Sequence, residues 1–374
     1  MTSLSLSPAA GPQRSAAAPK AVAVWLLVCA GMVFAMAIIG AITRLTESGL
    51  SITEWKPVTG ALPPLSEAQW LAEFEKYRQI PEYQLLKRGM SLEEFKGIYF
   101  WEWLHRLWGR LIGVVFLLPF VWFWVRGQVS RALAPTLAGL FLLGGLQGFI
   151  GWFMVQSGLT ERTDVSHYRL ALHLGMAFLI YAALLKVALG LLDPAPAPQP
   201  AAGRLRPHAW AALALLGVTI VWGAFVAGIN AGFAYNTWPL MGGTLAPAEM
   251  WTQTPVWLNL LENTAAVQFV HRWLAVVTAL VVLSLCWQAW RTGGGTRLRG
   301  VAAGLAAATV AQVGLGIATL LSVVWIPLAT AHQGGALVLT GLLVWTLHLL
   351  RPPETPRQAT PLTATPLTEM PAPR

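Results

Sequence analysis

Hydrophobic positions along this chain gather into eight runs, each about as long as the 20 residues a helix needs to cross the hydrocarbon core of a bilayer. The runs lie near Ala21–Thr43, Phe100–Val125, Ala134–Val155, Leu170–Leu192, Ala209–Ile229, Ala265–Trp290, Val301–Val323 and Ile326–Leu350. The fold they predict is all-α and integral to a membrane. The longest polar interruption, Arg44–Gly97, is more than a connection. Within it Leu65–Tyr77 opens with Ser66 and Glu67 and continues WLAEFEKY, the pattern of an amphipathic helix lying over the membrane face. Ser91–Phe95 (SLEEF) predicts a further short helix leading into the second span. Pro194–Ala202 reads as a Pro/Ala linker and Pro352–Arg374 as a Pro/Thr tail expected to be disordered.

The runs pair across the chain. His105-Arg106 recurs as His271-Arg272, at an offset of 271 − 105 = 166, and Gln147-x3-Gly151 recurs as Gln312-x3-Gly316, at 312 − 147 = 165. His173 matches His332 at 332 − 173 = 159, and Trp55-Lys56-Pro57 with Gly60 resembles Trp238-Pro239 with Gly242. Each copy holds four spans, an even number, so both enter the membrane in the same sense, about a pseudo-two-fold axis along its normal. The expected architecture is eight transmembrane helices as two pseudo-symmetric four-helix bundles. The chain then divides into a tail (1–20), a first half (21–192) with the outer loop 44–97, a linker (193–206), a second half (207–350) and a tail (351–374).

Composition agrees with a membrane setting. Only 11% of the 374 residues are charged and 56% are hydrophobic, whereas a soluble domain carries about 25% charge. The formal charge of +9 would suggest nucleic acid in a soluble protein, but the positive-inside rule accounts for it here. The joints Arg126–Arg131, Leu192–Arg206 and Arg291–Arg299 share one side with both termini, which predicts an N-in, C-in topology. The 19 Trp suit interfacial belts. Cys29 and Cys286 both fall inside spans, which leaves no disulfide framework and no CxxC redox pair.

The chemistry gathers around Phe100–Arg110 (FWEWLHRLWGR), where Glu102 and His105 lie one helical turn apart on a shared face. Ionisable groups at the edge of a span are costly and mark function. His105, His173, His271 and His332 fall once per even-numbered span, all in its outer part. His208 and His348 lie at the cytoplasmic ends of spans, where a solvated or headgroup-facing role is the default, and His167 lies in the outer loop before the fourth span. A single intramembrane His is readily a hydrogen-bonding core residue, but four at matched depth point to metal or haem. Zinc wants four clustered ligands, or three and a water. Two His per bundle instead suit a planar macrocycle with one axial imidazole from each side. Arg106 and Arg272 would pair with propionates at the outer rim or snorkel to headgroups. The halves differ at the residue three before the first His, Glu102 against Gln268. A carboxylate can transfer protons; an amide only hydrogen-bonds.

With EFKGIYFWEWLHRLWGR (Glu94–Arg110), LENTAAVQFVHRW (Leu261–Trp273), LQGFIGW (Leu146–Trp152) and NTWPLMGG (Asn236–Gly243), the chain resembles the haem A synthase (Cox15/CtaA) family from about Gly31 to Leu350. The resemblance implies an oxidoreductase acting on the C8 methyl of haem O, converting it to the formyl of haem A, the usual proposal being successive O2-dependent hydroxylation. It implies haem b as cofactor on His271 and His332, His105 and His173 flanking the substrate haem, and Glu102 as the family's essential glutamate. Some members carry a cysteine pair in the first outer loop; this sequence has none there, which is similar to the mitochondrial and alphaproteobacterial type. The resemblance further implies a bacterial inner membrane with haem sites toward the periplasm. Haem O synthase, cytochrome oxidase assembly factors and a second copy of the chain are candidate partners, with the lipid bilayer and without nucleic acid. Two other readings compete: a diheme cytochrome b-type electron-transfer protein, and a parallel-repeat transporter.

Overall fold

The computed structural model describes residues 17–352 apart from 57, 58, 161 and 200. Its long apolar helices are α1 (Ala17–Leu45), α4 (Leu92–Val125), α5 (Ala134–Leu159), α6 (His167–Leu192), α7 (Ala202–Gly228), α9 (Thr264–Arg291), α10 (Thr296–Leu321) and α11 (Ile326–Leu349). All eight are long and apolar enough to cross a membrane, so the chain is a multi-pass membrane protein. The shorter helices are α2 (Glu67–Tyr77), α3 (Pro81–Leu85) and α8 (Asn259–Glu262).

Local signals explain where the elements start. Ser66 caps α2 and Ser91 caps α4, each through a capping box closed by Gln69 and Glu94. The stretch expected as a separate short helix, Ser91–Phe95, is instead the first turn of α4. Nothing in EFKGIYFW breaks the helical path, so the cap begins a single helix of 34 residues. The Pro/Ala linker ends where α7 begins, at Ala202. The tails before Ala17 and after Pro352 lie outside the described residues.

Each set of four helices has its own apolar core. In the first, Val22, Leu26 and Cys29 of α1 pack with Phe116 and Phe120 of α4, Leu137 and Leu140 of α5, and Phe178 and Leu184 of α6. In the second, Leu205 and Leu216 of α7 pack with Leu285 and Cys286 of α9, Leu298 and Leu305 of α10, and Leu343 of α11. Both cysteines are buried and unpaired. The sets meet along α1, α6, α7 and α11: α11 packs on α1, α6 and α7, and α6 also packs on α7. Small residues on α1, such as Ala23, Ala30 and Ala37, are buried and let backbones approach where lipid supplies no hydrophobic drive.

A small polar-capped lobe stands over the first set. Phe74 and Tyr77 of α2 pack on Phe95 and Tyr99 of α4, with Phe74 and Phe95 stacked 4.8 Å apart. Beneath them Glu82 is buried and accepts from the Tyr77 hydroxyl at 3.3 Å. Burial lifts its carboxyl to about 7, the tyrosine bond opposing that rise only in part. The folded value lies above the ordinary carboxylate value of about 4.3. Glu82 therefore stabilises the lobe at low pH, and this contribution is lost as pH rises toward 7. We expect Glu82→Gln to flatten the fall in lobe stability between pH 5 and pH 8, followed by hydrogen exchange of residues 67–85. An unchanged pH dependence in that variant would contradict the assignment.

Candidate functional site

The four intramembrane histidines sit on α4, α6, α9 and α11, as the sequence places them. Each ring lies against a glycine of the neighbouring helix. A Cβ on Gly40 of α1 would fall 3.0 Å from His105 Cε1, and one on Gly223 of α7 would fall 3.1 Å from His271 Cε1. A Cβ on Gly151 of α5 would fall 2.9 Å from His173 Cε1, and one on Gly316 of α10 would fall 2.8 Å from His332 Cε1. The imidazoles thus crowd the space where a side chain would begin, most tightly at Gly151 and Gly316.

Hydrogen bonds reach the His173 and His271 rings and the His332 backbone. Gln147 Nε2 donates to the His173 carbonyl at 3.0 Å and lies 3.1 Å from its ring Nδ1; Gln312 Nε2 donates to the His332 carbonyl at 2.9 Å. Both glutamine Oε1 atoms are buried without a protein partner. His271 Nδ1 meets the Thr219 carbonyl at 3.2 Å. A carbonyl only accepts, so Nδ1 carries the hydrogen and Nε2 is left as the ligating nitrogen.

The donor set fits a haem better than a bare metal. Among the described residues no three His, Cys, Asp or Glu side chains cluster as a metal site. The His105 and His173 rings have centroids 6.5 Å apart and are tilted by 42°. A metal bound by one imidazole on each side keeps each nitrogen about 2 Å away, which sets the ring centroids roughly 6–6.5 Å apart.

Glu102, one turn before His105, pairs with Arg106, the residue after that histidine. Glu102 is 3% exposed, yet both of its oxygens are filled. Oε2 accepts from the Ser51 hydroxyl and the Ile52 N–H, each at 2.7 Å. Oε1 accepts from Arg106 Nη2 at 2.6 Å and Nε at 3.1 Å. Arg106 also donates to the carbonyls of Ile52 at 2.7 Å and Glu54 at 2.9 Å. The second bundle repeats the arrangement: Arg272 donates to Gln268 Oε1 at 3.1 Å and to the carbonyls of Tyr235 at 2.6 Å and Thr237 at 2.8 Å. The guanidinium groups that the sequence assigns to propionates or headgroups thus bind segments of their own outer loops. These segments are straps across the bundle mouths. The first runs from α1 past Gly158 of α5, which meets Leu50, to α4. The second runs from α7 past the α10 terminus, where Asn236 donates to the Leu320 carbonyl at 2.9 Å, to α9.

Residues 23–344 match COX15-CtaA, described as cytochrome oxidase assembly protein. The chain belongs to that family. Among its relatives, a heme A synthase from Parvibaculum lavamentivorans is 54% identical over 330 residues, covering 88% of this chain and 94% of that protein. Heme A synthases from Bradyrhizobium sp. (strain BTAi1) and Azorhizobium caulinodans are each 50% identical, covering 89% and 90% of this chain and 92% and 96% of their own lengths.

Family resemblance points to the histidines and Glu102; it does not point to the glycine seats Gly40 and Gly223 or to the strap residues. A signal for them exists. Gly40 and Gly223 stand at an offset of 223 − 40 = 183, and Ile52 with Tyr235, Glu54 with Thr237, and Trp55 with Trp238 keep that same offset. Glu47 and Asn230, in the same register, share a left-handed backbone with φ of 52° and 56°. We expect Gly316→Ala to displace the His332 ring, read as a changed absorption spectrum of haem added to the purified protein. Gly31→Ala, which meets nothing within 4 Å, serves as the control. Identical spectra for the two variants would refute the seat.

Proposed function

We propose that this chain is a haem A synthase, an oxidoreductase that converts haem O to haem A by taking the C8 methyl to a formyl group. Family membership and relatives of that name, matched over more than nine-tenths of their length, support the activity. The observation that supports the placement of the reaction is the His105–His173 pair, 6.5 Å between ring centroids, beside the half-specific Glu102, one turn from His105.

In this reading the first half holds the substrate. His105 and His173 flank the haem O ring, Gly40 and Gly151 fix the edges of their imidazoles, and Glu102 is the residue on which turnover depends. His271 and His332 of the second half hold haem b, which when bound supplies electron storage and transfer. The Thr219 carbonyl keeps the His271 tautomer suited to that role. Gln268, an amide, leaves the second half without an acid at the equivalent place. Arg106 and Arg272 hold the straps and thereby the outer limit of each site, keeping water from the rings.

The protein lies in the bacterial inner membrane with both termini inside. Arg126, Arg131, Arg204, Arg206, Arg291, Arg297, Arg299 and Arg351 then gather on the cytoplasmic side, as the positive-inside rule requires, and both haem sites lie toward the periplasm. Haem O synthase as donor and cytochrome oxidase assembly factors as recipients suit a substrate and product this apolar, and the family description names the same assembly. Co-expression with a haem O synthase should yield haem A in extracted pigment. Unchanged haem O beside abundant, folded protein would refute the activity.

A further inference from the structure

We propose that Glu102 and Gln268 are one clasp built in two polarities, and that Glu102 is a positioning residue that holds the first strap over the His105–His173 site. The proposal rests on reading the first half as the substrate half and explains how Glu102 serves it.

The two side chains share a frame. Each stands three residues before its histidine and four before its arginine, and each offers one oxygen to that arginine. They differ in what the second terminal atom meets. Glu102 Oε2 faces donors, the Ile52 N–H and the Ser51 hydroxyl. Gln268 Nε2 faces acceptors, the carbonyls of Ala231 at 2.8 Å and Tyr235 at 3.2 Å. The residue equivalent to Ser51 in the second strap is Ala234, at 234 − 51 = 183, which has no hydroxyl to give. A carboxylate against two donors and an amide against two carbonyls are each the matched choice. Exchanging them sets N–H against N–H in the first half and oxygen against oxygen in the second. The Glu/Gln difference therefore follows from the loops, without a proton-transfer step.

The saturation of the carboxylate supports the same conclusion. Four donors occupy Glu102, two of them from one guanidinium, and charge-assisted bonds of this kind are the strong ones. The consequence for the haem site is mechanical. α1 carries Gly40, the seat of the His105 ring, and continues into the strap; the strap returns to α4 through Glu102 and Arg106, one turn from His105. Loss of the clasp frees α4 to rotate against α1, and His105 moves with it.

Hydrogen exchange of the full-length protein in lipid nanodiscs tests this. Glu102→Gln should raise exchange of residues 48–56 about tenfold or more, as expected when a local opening loses a charged hydrogen-bond set, and should leave residues 231–237 unchanged. Gln268→Glu should do the reverse. Ser51→Ala, with the acid intact, should lower haem A formation while the pH dependence of the remaining turnover keeps its wild-type shape. Loss of turnover in Glu102→Gln with wild-type exchange of residues 48–56 overturns the proposal and gives Glu102 a direct chemical role. The underlying assignment is tested apart from this: full haem O conversion by His105→Ala would remove the substrate half while leaving the strap results intact.

Discussion

A full charge at the edge of a bilayer needs close partners, because an unpaired buried ion costs several kcal/mol. Glu102 and Arg106 meet that condition with strap backbone and with each other. Other features of the outer face depend on this arrangement. The strap must lie across the bundle mouth for its carbonyls and N–H groups to be available. α1 and α4 must then stand at a fixed separation, and that separation is the one at which His105 fits against Gly40. Arg272 and Gln268 impose the same geometry on the second half with one charge in place of two.

Below the straps the demands change from polar to steric. Four imidazoles enter a helix bundle whose neighbours would ordinarily carry side chains there, and four glycines remove them. The opposite ends of both bundles are packed with Leu, Phe, Val and Ala. At the depth of the four histidines the His173 ring lies against Gln147 and the His271 ring against the Thr219 carbonyl.

Run length alone discloses the eight spans, because the bilayer fixes how many apolar residues a helix must have. The repeated His-Arg and Gln-x3-Gly signatures disclose the histidines, whose chemistry is carried by side chains. The straps leave a weaker trace. Their bonds are largely to backbone atoms, which any residue supplies, so Ile52 and Tyr235 carry no mark of their role. Gly40 and Gly223 are hidden among 35 glycines. Their register also differs from that of His105 and His271, because the first outer loop is the longer of the two and holds α2 and α3. The loop carbonyls that Arg106 and Arg272 bind leave no trace in the sequence, where both residues read as propionate or headgroup partners.

In the proposed function one half keeps its haem and the other turns haem over. The most direct measure of that division is the reduced-minus-oxidised spectrum of the purified protein, taken beside His271→Ala and His105→Ala. The account predicts that His271→Ala loses the retained bis-imidazole haem b while His105→Ala keeps it. Retention of that spectrum in His271→Ala, with its loss in His105→Ala, would contradict the account and exchange the roles of the two halves.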